Sequence, residues 1–231
     1  MFLIIIMVVF AILSYSIQYK LKSKFKKYSQ IALHRPMTGR EAAEKMLADN
    51  GIYDVQVISV AGQLTDHYNP GNKTVNLSDQ VYNGRSAAAV AIAAHEVGHA
   101  VQHAKSYAFL QLRSALVPIQ NVSAQIMNFI FMAMLFGAFF LQGFLSPQLA
   151  LMIIVACYSV FTLFAFVTLP VEFDASKRGL AWMTTSGVAN SQEQEMAKDA
   201  LKWAAMTYVV AAISSLVTLL YFILSLAGSR D

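Results

Sequence analysis

AIAAHEVGHAVQH, residues 91–103, decides how this chain is read. His95, His99 and His103 are three of its five histidines, spaced four apart, with Glu96 beside the first. Six alanines between 87 and 94 make the run a strong helix former, and the spacing predicts a helix over about 86–104. On a helix, positions i and i+4 share one face a turn apart, so the His95 and His99 imidazoles can hold one zinc ion. Glu96 stands about 100° further round and can reach a water on such a metal as general base. Zinc lowers the pKa of that water towards about 7, and the carboxylate accepts its proton. Small Ala94 and Gly98 let another segment or a substrate approach the helix closely.

A catalytic zinc takes three protein ligands and a water. His103 is a poor third ligand, because eight residues of helix carry it about 12 Å along the axis and about 80° round from His95. A three-histidine site of that kind needs a glycine to turn the chain, and Ala100-Val101-Gln102 offers none. His103 reads instead as a helix-end residue or a partner to a ligand. The better candidate is Glu172, in Pro170-Val171-Glu172-Phe173-Asp174-Ala175-Ser176, which reads equally well as a solvated interfacial carboxylate; Asp174 is the rival ligand.

Composition places those segments. The chain of 231 residues is 57% hydrophobic and only 13% charged, against about a quarter charged in soluble domains, so a membrane protein is expected. Four apolar runs, at about 2–19, 117–141, 149–169 and 203–226, are each long enough to cross a bilayer. The first has its positive charges after the apolar core, at Lys20, Lys22, Lys24, Lys26 and Lys27, and no small-residue cleavage site follows. It therefore reads as an uncleaved anchor rather than a signal peptide. Gln142-Gly143-Phe144-Leu145-Ser146-Pro147 is the turn of a hairpin made by the second and third runs. Arg113 precedes that hairpin and Lys177, Arg178, Lys198 and Lys202 follow it, while its tip has no basic residue. The positive-inside rule then puts the polar segments in the cytoplasm and both termini outside. The hairpin returns Glu172 to the membrane face that the chain left after His99.

The expected divisions are 1–27 as anchor and basic flank, 28–115 as a cytoplasmic zincin-like α+β domain, 116–170 as the transmembrane hairpin, 171–202 as a second cytoplasmic segment and 203–231 as the last crossing and tail. Within 28–115, Thr38-Gly39-Arg40-Glu41 is a capping box opening a helix that Gly51 ends. Two strands, at 55–60 and 74–77, are expected as a small β-hairpin, with Asn69-Pro70-Gly71-Asn72 as a turn. The second strand is read as an ordinary hairpin strand, with an edge for an extended substrate as the alternative. No nucleic-acid motif is present, and the single Cys157 excludes an intramolecular disulfide framework. Uncharged crossings argue against an ion path. Arg178, Tyr82, Tyr68 and His67 are candidate oxyanion donors.

Four blocks carry a resemblance: Leu64-Thr65-Asp66-His67-Tyr68-Asn69-Pro70, Leu77-Ser78-x-x-Val81-Tyr82, the run 94–102, and Leu169-Pro170-Val171-Glu172-Phe173. Together they resemble the YugP-type neutral zinc metallopeptidases of bacterial membranes. A more distant likeness is to HtpX-type membrane proteases and CAAX prenyl proteases. The resemblance implies a gluzincin-like endopeptidase acting on membrane or membrane-proximal proteins, with His95, His99 and Glu172 as zinc ligands and Glu96 as base. The alternative is a non-proteolytic zinc-containing scaffold, against which the intact Glu96 speaks. One departure stands out: the distant relatives carry Glu-x-x-Ala-Asp, whose Asp orients a ligand histidine, and here Ser176 occupies that position. Ser176, Asp174 or another group must then support the ligands.

Overall fold

The computed structural model describes residues 1–136 and 146–228. Their order is α1 (Phe2–Ser29), α2 (Gly39–Asp49), β1 (Gln56–Val60), β2 (His67–Asn69), β3 (Thr74–Ser78), α3 (Asp79–Tyr82), α4 (Ala87–Ala104), α5 (Ala108–Phe136), α6 (Pro147–Thr185) and α7 (Ser191–Gly228). The chain divides into two compact units, one of residues 1–14, 112–169 and 208–231, the other of 15–111 and 170–207.

Among the described residues four helices, α1, α5, α6 and α7, are long and apolar enough to cross a membrane. Their apolar side chains stay open where a soluble protein would bury them: Ile4 is 65% exposed, Phe129 70% and Leu224 71%. That surface suits lipid, not water. Inside the first unit, rings pair between helices, Tyr158 with Phe222 at 5.1 Å and Phe2 with Tyr221 at 6.1 Å. Hydroxyls such as Thr168 and Thr218 donate back to carbonyls of their own helices, which satisfies them without water.

The helices outlast the apolar runs. α1 continues through all five lysines to Ser29, because lysine is itself a good helix former and charge ends a crossing without ending a helix. α6 continues through Pro170 as one helix to Thr185. The segment beginning at residue 171 therefore starts within the helix that carries the third apolar run. Of the turn expected at 142–147, residues 142–145 lie outside the described residues; Ser146 caps α6, its Oγ accepting from Leu149 N–H at 3.2 Å, and Pro147 begins the helix.

The second unit is a three-stranded sheet against helices. Thr38 and Glu41 form the expected capping box, and Gly51 takes a left-handed φ of 71° just after α2. Ala42, Ala43, Met46 and Leu47 of α2 share one buried core with Val90, Ala94, Val97 and Val101 of α4. The strands correct the expected hairpin. β1 and β3 are parallel neighbours, Gln56 opposite Thr74 through Val60 opposite Ser78. The hairpin is made instead by β2 and β3, antiparallel across the Asn69–Asn72 turn, in the order β1-β3-β2. β2 was missed because three residues, His67, Tyr68 and Asn69, are too few to show a period of two. β3 is consequently the central strand and buried throughout, which removes it as an edge for substrate. Asp66 anchors the loop before β2, its carboxylate accepting from Ser78 N–H at 2.7 Å and Ser78 Oγ at 3.0 Å. Burial pushes the Asp66 carboxyl up, outweighing those two bonds.

Candidate metal centre

α4 begins with Ser86 as N-cap, its Oγ accepting from Ala89 N–H, and runs unbroken to Ala104. His95 and His99 therefore share one face, their rings 4.8 Å apart and nearly perpendicular. α6 crosses that face at two glycines. A Cβ at Gly98 would stand 2.5 Å from the Ala175 carbonyl oxygen, and one at Gly179 would stand 3.0–3.1 Å from the Ala94 and His95 backbone. Contact of backbone with backbone at these two points brings Glu172 onto the histidines.

Glu172 Oε2 lies 3.4 Å from His95 Nε2 and 3.6 Å from His99 Nε2. All three ligand atoms fall within 4.8 Å of one another, and Glu172 is only 3% exposed. A metal bond of 2.0–2.2 Å in tetrahedral geometry separates ligand atoms by about 3.3–3.6 Å. The two carboxylate–imidazole distances match, and two imidazoles with one carboxylate form a donor set that suits zinc. Burial alone would push the His99 imidazolium down; the carboxylates of Glu172 and Glu96, with Gln102, outweigh it and raise its pKa. A cluster that attracts positive charge this way is one that a divalent ion neutralises.

The other nitrogens of both rings are occupied. His95 Nδ1 is 3.0 Å from Ser176 Oγ, in the place where the distant relatives have Asp. His99 Nδ1 is 3.0 Å from Gln102 Oε1. The Gln102 amide has one possible orientation, because its Nε2 donates to the Val171 carbonyl and to Asp174 Oδ2, both at 2.8 Å. Its oxygen must then accept from His99, which fixes the proton on Nδ1 and leaves the Nε2 lone pair facing Glu172 and His95. Asp174 is held in turn by Arg178 at 2.5 Å, whose guanidinium lies over the Tyr107 ring. Glu96 is buried, and its carboxylate forms no hydrogen bond or ion pair among the described residues.

Of the residues singled out by sequence, the structure gathers His95, His99, Glu172, Ser176, Asp174 and Arg178. Asp174, the rival ligand, supports Gln102 instead. His103 is elsewhere, its Nδ1 2.8 Å from the Tyr68 hydroxyl. Tyr82 carries Arg40 over its ring, and His67 Nδ1 bonds the Thr65 carbonyl. Gln102, completely buried, was missed. Its one sequence signal is a place three residues after His99, on the same helix face.

These features define a multi-pass membrane protein with a buried His-His-Glu group suited to a metal. Residues 3–227 match the family model described as "Putative neutral zinc metallopeptidase", and the chain belongs to that family. It is 42% identical over 220 residues to the "Putative membrane protease YugP" of Bacillus subtilis (strain 168), spanning 95% of this chain and 94% of that protein. No solved structure matches it. The family's metal is zinc, and the donor set described above fits it.

Proposed function

We propose that the chain is an integral membrane endopeptidase in which His95, His99 and Glu172 hold zinc and Glu96 is the general base. The observation that carries the reading is the approach of Glu172 Oε2 to both Nε2 atoms. Bound zinc would supply a water of lowered pKa and polarise the scissile carbonyl. Glu96 takes the proton of the attacking water on its carboxylate and delivers it to the leaving amine. Ser176 and Gln102 hold the two rings so that each offers Nε2. Arg178 and Asp174 act one step further out, on Gln102, and not as oxyanion donors.

The basic residues that flank the apolar runs support a cytoplasmic site with both termini outside. Because Glu172 lies only a few residues beyond the third apolar run, the site would sit close to the bilayer surface. Substrates would then be extended or locally unfolded segments of membrane or membrane-proximal proteins. The scaffold alternative is not favoured by membership of a peptidase family.

Zinc per chain, measured on detergent-purified protein, tests this reading. We expect about one zinc for the unchanged chain and for Glu96→Gln, and a clear loss for Glu172→Ala. Casein hydrolysis should disappear in Glu96→Gln. Retention of zinc by Glu172→Ala, or of activity by Glu96→Gln, would overturn it.

A further inference from the structure

α6 and α7 reverse direction across the turn at 186–190, where Gly187 takes a φ of 64°. On the second unit they line an open groove of about 510 Å³, within the range of roughly 300–1,000 Å³ typical of ligand sites. Lys177 enters it from α6, and Lys198 and Lys202 enter it from α7. No carboxylate lines it. Lys198 and Lys202 stand at i and i+4, a like-charge spacing that destabilises a bare helix. Elsewhere in this unit Lys24 is paired with Asp199, Lys45 with Asp49 and Lys73 with Asp54, while Lys20, Lys22, Lys26, Lys27 and Lys105 have no ion pair among the described residues and line no part of this groove. Lys177 and Lys202 have no ion pair among the described residues. Lys198 reaches only Glu195, at 3.9 Å and with both side chains mostly exposed, a contact of little worth.

The groove is also polarised along its length. Phe173 of α6 and Ala205 and Met206 of α7 line the end from which the two helices lead into the uncharged runs 149–169 and 203–226. Lys198 lies towards the turn. Phe173 is 47% exposed there, an apolar ring left open beside a cluster of positive charge. A ligand that satisfies both ends has an anionic head and an apolar tail, with the tail directed to the bilayer. The lysine cluster selects for negative charge, and the apolar end distinguishes a lipid from a free anion.

We propose that this groove binds one anionic phospholipid, its phosphate among Lys177, Lys198 and Lys202 and an acyl chain against Phe173, Ala205 and Met206. The groove adjoins the His-His-Glu group through Ser176, which lines it and lies 3.0 Å from His95 Nδ1, but none of the three lysines touches that group and the proposal does not depend on the chain being a peptidase.

The test uses the full chain in neutral detergent, titrated with phosphatidylglycerol, with phosphatidylcholine of the same chains, and with inorganic phosphate, read by native mass spectrometry and by shift of the unfolding midpoint. We expect saturable binding of one phosphatidylglycerol, at least tenfold weaker binding of phosphatidylcholine, and no competition by phosphate at matched concentration. Lys177→Gln/Lys202→Gln should weaken phosphatidylglycerol binding at least tenfold, and so should Lys198→Gln/Lys202→Gln. The control Lys45→Gln/Lys73→Gln makes the same charge change elsewhere and should leave binding unaltered. Unchanged binding by both groove variants, an equal loss in the control, equal binding of phosphatidylcholine, or full displacement by phosphate would each overturn the proposal.

Discussion

Gln102→Leu isolates the contribution of one buried amide to the candidate metal centre. Leucine keeps roughly the volume of glutamine and removes three hydrogen bonds, to His99 Nδ1, Val171 O and Asp174 Oδ2. The three losses are unequal. Asp174 keeps Arg178, and Val171 O keeps the intrahelical bond of its place in α6. His99 Nδ1–H alone is left with no acceptor, on a side chain only 10% exposed. A buried donor stranded in this way costs about 1–3 kcal/mol. Loss of a group that orients a metal ligand typically weakens binding by about 10–100-fold, or roughly 1.4–2.8 kcal/mol. The two figures agree, as they should if the cost falls on His99. Competition with a chromophoric chelator, on detergent-purified protein, reads the zinc affinity directly; the unfolding midpoint of metal-free protein reads the structural share. If Gln102→Leu folds normally and holds zinc within twofold of the unchanged chain, the orientation of His99 does not depend on Gln102 and the reasoning fails.

Gly98→Ala places a Cβ 2.5 Å from the Ala175 carbonyl oxygen; since backbone cannot yield as a side chain can, we expect a loss of about 1–3 kcal/mol together with lowered zinc content, and a milder effect from Gly179→Ala. Chelator competition should show Ser176→Ala weakening zinc by about tenfold and Ser176→Asp retaining it, since the carboxylate again accepts from His95. His103→Ala should keep its zinc, and loss of the metal there would mean that α4 is not the regular helix described. The Asp49 carboxylate is held below the usual aspartate range by the Trp182 indole, 2.8 Å away, and by Lys45. A depressed carboxylate adds stability above its unfolded pKa of about 3.9 and loses it as pH falls through the lower folded value. The stability difference between the unchanged chain and Trp182→Phe should therefore be largest above about pH 4 and shrink below it, as followed by denaturant unfolding at stepped pH.

What the sequence by itself determined is everything carried by neighbours within a few turns of chain. Apolar runs of sufficient length announce the crossings, alanine content and the four-residue spacing set the His95–His99 face, and Thr38 with Glu41 marks the start of α2. Helix geometry also argued against His103 as a ligand; in the structure its Nδ1 lies 2.8 Å from the Tyr68 hydroxyl. The tertiary structure decided what depends on distant partners. Ser176 reaches His95 across 81 residues, and Gln102 reaches Val171 and Asp174 across 69 and 72; no local period records such meetings. The same holds for the sheet, where the parallel pairing of β1 with β3 follows from β2, a strand of three residues with no pattern of its own. Residues alone made Glu172 the better candidate with Asp174 as its rival, and family resemblance strengthened the case for Glu172. The physical ground for that choice is the close crossing of α4 and α6 at Gly98 and Gly179, which aims Glu172 at the two Nε2 atoms and turns Asp174 towards Gln102.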